Sequence, residues 1–397
     1  MENIKIDFQK HIDAGRCNGA EWIINYENKV YHDVIGYKDL DLKDKLNKNS
    51  YYRVWSMTKP IVGFAAMKLA EKKFLSLDDT IDKYLPEFKN IKKLNSLTSK
   101  ISDTSPVDNL PTIRQLLQHT AGFTYNSSDN NLAQEYEDKG LFHSPTSSLE
   151  EEINKILELP LLYEPGSNWH YSISIDILAR IIEIVTKDKI INILKDNIFD
   201  PLEMNQTNFF INESNQKNLV ETFEYSFDRS KLTNLNFDKR KLILYGYPTT
   251  NQNYSRGGHG LFSTAEDYAK FATMLLNGKN KNSKPLVNTE TLEMMRNNSL
   301  TADLFPLEIT SINTKKDIDY ENDLIGYGWG MGMRVLIKNT NQNKFGTIGE
   351  FGWSGYASTY FLVDPINNLS AVLMMQIIDA HKNIKQDFYN NIFKNIK

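Results

Sequence analysis

The segments of this chain that resemble β-strands lie near its two ends, and the helical segments lie between them. Residues 20–28 (AEWIINYEN) and 30–37 (VYHDVIGY) have the β-branched and aromatic content of short strands around a tight turn. Three more such segments follow in the last third: GYGWGMGMRVLI (326–337), ASTYFLVD (357–364) and LSAVLMMQII (369–378), with DPINN as a hairpin turn before the last. The pattern predicts one antiparallel sheet built from both ends of the chain, carrying a helical insertion.

Apolar residues at helical spacing predict five amphipathic helices. They cover about Pro60 to Lys73, TIRQLLQHTAGF (112–123) with Gly122 as its C-cap, SIDILARIIEIVTK (174–187), STAEDYAKFATMLLNG (263–278) and KNIKQDFYNNIFKNI (382–396). In the fourth of these, Ser263 or Thr264 is the predicted N-cap, and Gly278 is the predicted stop. The polar stretches 89–108, 124–148 and 297–323 are predicted to be surface loops, some of them at the edge of a cleft.

The length of the chain indicates more than one structural unit. A chain of 397 residues exceeds the size at which a single hydrophobic core keeps growing. We therefore predict an α/β part formed by residues 1–75 and 255–397, and a mainly helical part with long loops formed by residues 76–254. The active site is expected at the junction of the two parts.

Charge and cysteine content exclude several classes of partner and cofactor. A net charge of −4 and a pI near 6.0 give no electrostatic reason to expect nucleic acid or an anionic membrane surface as a partner. Cys17 is the only cysteine, which excludes an internal disulfide and a cysteine metal cluster. Neither an H-E-x-x-H motif nor a calcium-loop pattern is present, so we expect no metal and no other cofactor.

The distribution of apolar residues bears on location. The longest apolar runs, such as AVLMM at 371–375, are far shorter than the roughly 20 residues that a membrane span needs. The first residues, MENIKIDFQKHIDAGRCNGAEW, lack the apolar core and cleavage site of a signal peptide. We therefore expect a cytoplasmic protein, with a trimmed signal peptide left open. The sequence contains no signal for the oligomeric state.

A serine stands three residues before a lysine in Ser56-Met57-Thr58-Lys59, after a strand-like segment and at the start of an apolar helix. On a helix these two positions share a face, so the Lys59 amine can reach the Ser56 hydroxyl. One interpretation is a helix cap followed by a surface lysine. The other is a nucleophile with its base, which requires that burial or a nearby cation favour the neutral amine. A second copy of the motif, Ser214 to Lys217, lies in a polar stretch without this context.

Six segments resemble, in the right order, the serine β-lactamase and penicillin-binding-protein superfamily, and most of all its branch of class C β-lactamases and family VIII carboxylesterases. They are YRVWSMTKPIVGFAAMKLAEKKFLSLDDTIDKYLPEF (52–88), TIRQLLQHTAGF (112–123), EPGSNWHYSISIDILARIIEIVTK (164–187), IFDPLEMNQTNF (198–209), RGGHGLFSTAEDYAKFATMLLNG (256–278) and FGWSGYASTYFLVDP (351–365). The resemblance spans roughly residues 19 to 377. It implies the β-lactamase/transpeptidase-like fold of the α/β (α+β) class, with a central antiparallel sheet flanked by helices and an inserted, mostly helical part.

The resemblance also implies the catalytic residues. It makes Ser56 the nucleophile, and it makes Lys59 and Tyr171 its partners in proton transfer. Either a neutral lysine acts as the base, or a lysine ammonium stabilises a tyrosine phenolate that does so. The backbone N–H groups of Ser56 and Tyr356 are the implied oxyanion hole. The chain departs from the Tyr-x-Asn form of the lactamases, and we predict that Ser174 takes the place of the asparagine, with a weaker interaction with a β-lactam.

The third motif differs from that of the lactamases. Where lactamases and penicillin-binding enzymes usually carry Lys-Thr-Gly, this chain has Trp353-Ser354-Gly355, as many esterase-like relatives have Trp-x-Gly. Loss of that lysine removes a cation that would attract the carboxylate of a β-lactam or of a peptide C-terminus. An indole offers apolar surface and one N–H donor, so a neutral ester fits better. Gly355 is expected to let the backbone approach the substrate closely.

Histidines near these motifs suggest a Ser-His-Asp triad as an alternative. We reject it because the S-x-x-K arrangement needs no histidine. His119 is expected to cap or pack its helix, and His170 and His259 are expected to line the cleft. Gly257, Gly258 and Gly260 are interpreted as a tight turn before a helix.

These observations predict a serine hydrolase that works through an acyl-enzyme, most simply a carboxylesterase on small or medium esters. A β-lactamase or D-amino-acid peptidase is the first alternative, because it uses the same residues on an amide. An acyltransferase is the second, with an alcohol in place of water. A non-catalytic binding or scaffold protein of the same fold is the third.

Overall fold

The computed structural model describes residues 2–41, 44–226, 229–235, 247–309 and 322–396. In these ranges the helices are α1 (Glu2–Asp13), α2 (Thr58–Glu71), α3 (Ile113–Gln118), α4 (Asn131–Asp138), α5 (Leu149–Asn154), α6 (Ser174–Thr186), α7 (Ile190–Leu194), α8 (Asp200–Leu202), α9 (Ala265–Met274), α10 (Thr289–Arg296) and α11 (Lys382–Asn395). The strands are β1 (Gly19–Tyr26), β2 (Lys29–Gly36), β3 (Tyr52–Arg53), β4 (Lys92–Leu94), β5 (Thr104–Pro106), β6 (Phe223–Ser226), β7 (Lys231–Asn234), β8 (Phe262–Ser263), β9 (Tyr327–Trp329), β10 (Arg334–Leu336), β11 (Phe351–Ser354), β12 (Tyr360–Asp364), β13 (Leu369–Met374) and β14 (Ile377–Ile378).

One sheet joins the two ends of the chain, as the sequence predicts. Its seven strands lie in the order β2-β1-β13-β12-β11-β10-β9. Every neighbouring pair is antiparallel, with Trp22 opposite Leu373 and Trp353 opposite Phe361. The N-terminal hairpin therefore pairs with the C-terminal one at β1 and β13. This pairing confirms the prediction of a central antiparallel sheet.

The two faces of the sheet belong to two different cores, because successive side chains of a strand point in opposite directions. On one face, Trp22 stacks on Phe8 of α1 at 5.2 Å between ring centroids, and Phe8 contacts Phe388 of α11 at 6.3 Å. On the other face, Phe361 packs against Tyr268 of α9 at 5.2 Å. Helices cover the sheet on both sides.

The helix α2 runs through the interior and carries the first motif. Its residues from Thr58 to Met67 are all buried, and Pro60 occupies the first turn, where the absent N–H costs no helical hydrogen bond. The helix packs against α6, α7 and α10. Because it is buried on nearly all sides, any polar side chain in its first turn must find its partners inside the protein.

Two local predictions are wrong in detail. GYGWGMGMRVLI forms the hairpin β9–β10 rather than one strand, and Gly330 N–H donates to the Met333 carbonyl in the turn. Gly122 does not end α3, because His119 takes the left-handed conformation at φ 59° directly after Gln118. Gly122 has a packing role instead, since a Cβ there would lie 2.9 Å from both Leu161 Cβ and the Tyr163 carbonyl.

The polar stretches contain short elements of their own. The hairpin β4–β5 lies within 89–108, and α4 lies within 124–148. Of the predicted loop 297–323, residues 310–321 lie outside the described residues. The division into parts at 75/76 and 254/255 stays a prediction. None of the helices in the described ranges is both long enough and apolar enough to cross a bilayer.

Candidate active site

A short strained turn presents Ser56 at the start of α2. Trp55 has a positive φ of 48°, a conformation that costs a bulky residue energy and must be held by its surroundings. Tyr247 holds it: the two rings lie 4.7 Å apart, and the Tyr247 hydroxyl accepts a hydrogen bond from the Trp55 N–H at 3.3 Å. Residues Trp55–Met57 form a 3₁₀ turn that leads into α2. Ser56 is left half-buried, with its hydroxyl facing Lys59.

Lys59 is a buried amine rather than a surface charge. It is 1% exposed, and its Nζ lies 3.1 Å from Ser56 Oγ and 2.7 Å from the Gly258 carbonyl oxygen. Burial lowers the pKa of Lys59 to about 7, and the negative charge of Asp176 opposes that change. A substantial fraction of the amine is therefore neutral near pH 7, which is the form that can accept the serine proton.

Tyr171 completes a group of three. A hydrogen bond joins its hydroxyl to the Ser56 side chain. The Trp353 Nε1–H donates to the same hydroxyl at 3.2 Å, and Lys59 Nζ lies 4.7 Å from the centroid of the tyrosine ring. Sequence positions more than 110 residues apart thus meet around one serine hydroxyl.

The electrostatics favour one of the two proton routes. Burial raises the pKa of Tyr171 above its ordinary value, and Asp176 adds to the increase, although hydrogen bonds from Ser56 and Trp353 lower it. The pKa of Lys59 moves in the opposite direction, to about 7. A phenolate stabilised by a lysine ammonium is therefore disfavoured. The arrangement favours a neutral lysine as base and a protonated tyrosine as hydrogen-bond donor and proton relay.

Asp176 and Gly258 belong to the site, although sequence reasoning did not select them. Asp176 lies in the first turn of α6, fully buried, and its Oδ1 accepts from the N–H groups of Gly257 and Gly258 at 2.9 Å each. The Gly258 carbonyl in turn accepts from Lys59. A carboxylate in the middle of the apolar stripe SIDIL was the available signal, since buried acids need a specific partner.

The Trp353 side chain packs against Tyr171 and is not an exposed surface for substrate. It is 3% exposed, and its ring lies 5.3 Å from Tyr171 and 4.6 Å from Trp329. Trp329 is fully buried, and its Nε1–H donates to the Leu117 carbonyl at 3.0 Å. The indole of Trp353 therefore fixes the tyrosine ring, and of residues 353–356 it is Ser354, Gly355 and Tyr356 that reach solvent.

Gly355 makes a close approach, but to the segment that precedes Ser56. A Cβ at this position would lie 2.2 Å from Thr359 Oγ1 and 2.5 Å from the Val54 carbonyl oxygen. We expect from the sequence that Gly355 makes room for a substrate. In the structure, its lack of a side chain instead lets the end of β11 pack against the turn that carries Ser56. The Tyr356 ring, which is 40% exposed, contacts the Trp55 ring edge-on at 5.8 Å. The role of the Ser56 and Tyr356 N–H groups as an oxyanion hole stays a prediction that this proximity supports.

Ser174 does not take the place of the lactamase asparagine. The third position of Tyr-x-Asn, counted from Tyr171, is Ile173, and both Ile173 and Ser174 are fully buried. The Ser174 hydroxyl pairs with that of Ser172 at 2.7 Å at the start of α6. Neither side chain offers an amide to a substrate.

The histidines are held by partners other than Ser56. His170 Nε2 lies 3.0 Å from Thr124 Oγ1, and burial lowers its pKa to about 4. His259 Nε2 lies 3.0 Å from the Tyr254 hydroxyl. Both rings are half-buried, so the expectation that they line the cleft stays a prediction. His119 is fully buried at the end of α3, with a pKa well below its ordinary value because of burial and the Lys59 charge.

Two other features lie apart from this group. Ser214 and Lys217 of the second S-x-x-K copy are exposed on a 3₁₀ turn, Glu213–Asn218. An open cavity of about 540 Å³ lies beside the C-terminal end of α2, where Glu71 and Phe74 form part of its wall. A helix rises ~1.5 Å per residue, so the Glu71 wall of that cavity is roughly 22 Å along the helix axis from Ser56.

The site thus joins a serine hydroxyl, a buried amine whose pKa is lowered to about 7 and a tyrosine hydroxyl, which is the combination that nucleophilic catalysis by a serine requires. The chain belongs to the β-lactamase family: the family model described as Beta-lactamase matches residues 7–390. The fold is accordingly the β-lactamase/transpeptidase-like one, and the family resemblance of the six motif segments is confirmed.

Two relatives and one solved structure are distant but match nearly the whole chain. Protein Rv1367c of Mycobacterium tuberculosis is 26% identical over 370 residues, which are 92% of this chain and 87% of that protein. Lovastatin esterase of Penicillium rubens is 25% identical over 416 residues, covering 98% and 97% of the two chains. The solved structure of EstCE1, described as a hydrolase with promiscuous acyltransferase activity, has a TM-score of 0.75 at 23% identity and covers 98% of this chain and 97% of that one. At that identity the likeness is one of fold.

Proposed function

We propose that the protein is a serine hydrolase that cleaves small or medium carboxylic esters through an acyl-enzyme on Ser56. The observation that carries the proposal is the 3.1 Å contact between Ser56 Oγ and the buried amine of Lys59, whose pKa is about 7. A serine hydroxyl needs a neighbouring base, and an amine that titrates near the working pH is an efficient one.

Acylation follows from the positions of the three side chains. Ser56 Oγ attacks the ester carbonyl carbon while neutral Lys59 Nζ takes the hydroxyl proton. The oxyanion that forms accepts from the N–H groups of Ser56 and Tyr356. The proton then passes through the Tyr171 hydroxyl to the alkoxide oxygen as the C–O bond breaks, so that the alcohol leaves and Ser56 carries the acyl group.

Deacylation uses the same groups in the reverse direction. Water adds to the acyl carbonyl and gives a proton to the Tyr171–Lys59 pair. The bond from the carbonyl carbon to Ser56 Oγ breaks, the serine oxygen regains the proton, and the carboxylic acid leaves. An alcohol in place of water gives a new ester by the same steps, so acyl transfer is the second candidate function. The description of EstCE1, which shares the fold of this chain, names promiscuous acyltransferase activity for that protein.

The preference for an ester over a lactam or a peptide C-terminus rests on β11. That strand ends in Trp353-Ser354, where a lactamase would supply a lysine cation for the substrate carboxylate. The buried indole supplies no charge and donates its single N–H to Tyr171. The name of the relative lovastatin esterase points in the same direction.

A panel of substrates tests the preference. The protein is assayed with p-nitrophenyl esters of increasing acyl length, a chromogenic cephalosporin and a D-Ala-D-Ala dipeptide, and the rate of Ser56→Ala is subtracted from each. We expect kcat/KM for the best ester to exceed that for the cephalosporin and for the dipeptide by at least about 10²-fold, the order of one lost charged contact. A cephalosporin turned over faster than every ester would contradict the proposal and favour a lactamase. A second series adds an alcohol acceptor, and the amounts of new ester and of carboxylic acid then separate acyl transfer from hydrolysis.

A further inference from the structure

Asp176 is a buried carboxylate whose contacts lead to the catalytic amine. It is fully buried in α6, and its Oδ1 accepts the Gly257 and Gly258 N–H groups at 2.9 Å each. Its Oδ2 is also buried and has no hydrogen-bond partner among the described residues. A carboxylate is costly to bury, so one that is held in this way indicates a specific use.

The turn that Asp176 holds packs closely against the start of α6. A Cβ at Gly257 would lie 2.1 Å from the Ile175 carbonyl oxygen, and one at Gly258 would lie 2.4 Å from Asp176 Oδ2. The turn is therefore pressed directly against the first turn of α6. Its Gly258 carbonyl then accepts from Lys59 Nζ at 2.7 Å, which directs the amine towards Ser56 Oγ.

The charged and titratable groups around Asp176 come from each element packed against it. The Asp176 carboxyl interacts with Lys59 of α2, with Arg256 beside the turn, and with the tyrosines Tyr125, Tyr171 and Tyr254. Glu152 of α5 acts on Arg256 and Tyr254, and His119 after α3 is influenced by the charge of Lys59. Arg256 lies 3.6 Å from Glu152, so its charge is partly balanced elsewhere. Burial raises the pKa of Asp176, whereas Lys59, the two glycine amides and Arg256 lower it.

We propose that Asp176 is a positioning residue for catalysis: it anchors the Gly257–Gly258 turn, so that the Gly258 carbonyl aims Lys59 at Ser56, and its charge sets how readily Lys59 holds a proton. The proposal rests on the proposed function, since it assigns Asp176 a role in preparing the base of that reaction. Asp176 contacts no reacting atom and acts through Lys59.

The two roles can be separated by substitution. Asp176→Asn keeps an oxygen for the two glycine amides and removes the charge, and Asp176→Ser is a second neutral variant. Asp176→Glu keeps the charge. Asp267→Asn is the matched control, because Asp267 is also a buried acid that accepts a backbone N–H, that of Gln206 at 2.7 Å, and its ion pair is with Lys270.

The titration of Lys59 is read directly by NMR of protein labelled with ¹³C at the lysine ε-carbons. The Lys59 resonance is the one missing from Lys59→Arg. Lys68 of α2, whose pKa is lowered to about 8 mainly by burial, is an internal reference. The wild-type midpoint of Lys59 is expected near 7. Removal of a nearby negative charge favours the neutral amine. The Lys59 midpoint in Asp176→Asn and Asp176→Ser is therefore expected to fall by about one pH unit, and the Lys68 midpoint is expected to stay unchanged.

The acid limb of the pH profile of kcat/KM for an ester provides the second readout. Activity rises with pH as Lys59 loses its proton, so a lower midpoint moves that limb to lower pH in both neutral variants, and Asp176→Glu returns it towards the wild-type position. A Lys59 midpoint that is the same in wild type and in both neutral variants would overturn the proposal. A wild-type protein without any Ser56-dependent ester turnover would instead overturn the proposed function, whatever the midpoints are.

Discussion

Replacement of Lys59 by arginine is expected to lower kcat/KM for an ester by about 10²- to 10⁴-fold, the usual contribution of general base catalysis. Lysine can lose its proton when burial lowers its pKa, and here the pKa of Lys59 is about 7. Arginine stays protonated in proteins, so it keeps the charge and the donor but cannot accept the serine proton. The measurement is steady-state hydrolysis of the best p-nitrophenyl ester as a function of pH.

Two further variants make the result specific. Lys59→Met removes the amine with a side chain of similar length and is expected to lose as much activity, which separates loss of the base from the bulk of arginine. Lys68→Met is the control, since Lys68 is half-buried in the same helix and donates to the Asn197 carbonyl away from the site. Full activity in both Lys59 variants, with thermal unfolding unchanged, would refute the assignment of the base.

Replacement of Tyr171 by phenylalanine is expected to lower kcat by about 10²-fold or more with little change in KM. The ring, and with it the packing against Trp353 at 5.3 Å, is kept, and only the hydroxyl that joins Ser56 and the Trp353 N–H is lost. That hydroxyl is the proposed relay to the leaving oxygen, so the loss falls on the chemical step. Stopped-flow measurement of alcohol release gives the acylation rate directly.

A second buried tyrosine provides the control for Tyr171. Tyr136 is 1% exposed, and its hydroxyl hydrogen-bonds the backbone of Thr124. Tyr136→Phe is expected to cost stability but to leave the acylation rate unchanged. If Tyr171→Phe acylates at the wild-type rate, the tyrosine is only a packing residue, and the proton must reach the leaving group by another route.

The sheet and the Ser56–Lys59 contact could be predicted because both follow from local patterns. Strand-like segments at the two chain ends predict one sheet built from both, and β1 does pair with β13. A spacing of three on a helix brings two side chains to one face, and Lys59 Nζ does lie 3.1 Å from Ser56 Oγ.

The support around these residues could not be predicted, because it depends on contacts between distant segments. The anchor of Lys59 is a carbonyl oxygen of Gly258, which no side-chain pattern reveals. The need for a glycine at position 355 also depends on distant residues, because Gly355 packs against Val54 and Trp55, some 300 residues earlier in the chain. The choice between a neutral lysine and a phenolate required the burial of both groups, and burial belongs to the folded protein.

Labelling with a fluorophosphonate shows whether Ser56 is an activated nucleophile. Wild type, Ser56→Ala and Ser214→Ala are incubated with the probe and compared by intact mass and by peptide mapping; Ser214 is the matched control because it belongs to the second S-x-x-K copy. We expect one phosphonyl group per chain, located on Ser56, in wild type and in Ser214→Ala, and none in Ser56→Ala. Equal labelling of wild type and Ser56→Ala, or folded wild-type protein that takes up no label, would contradict it and favour a non-catalytic role for the fold.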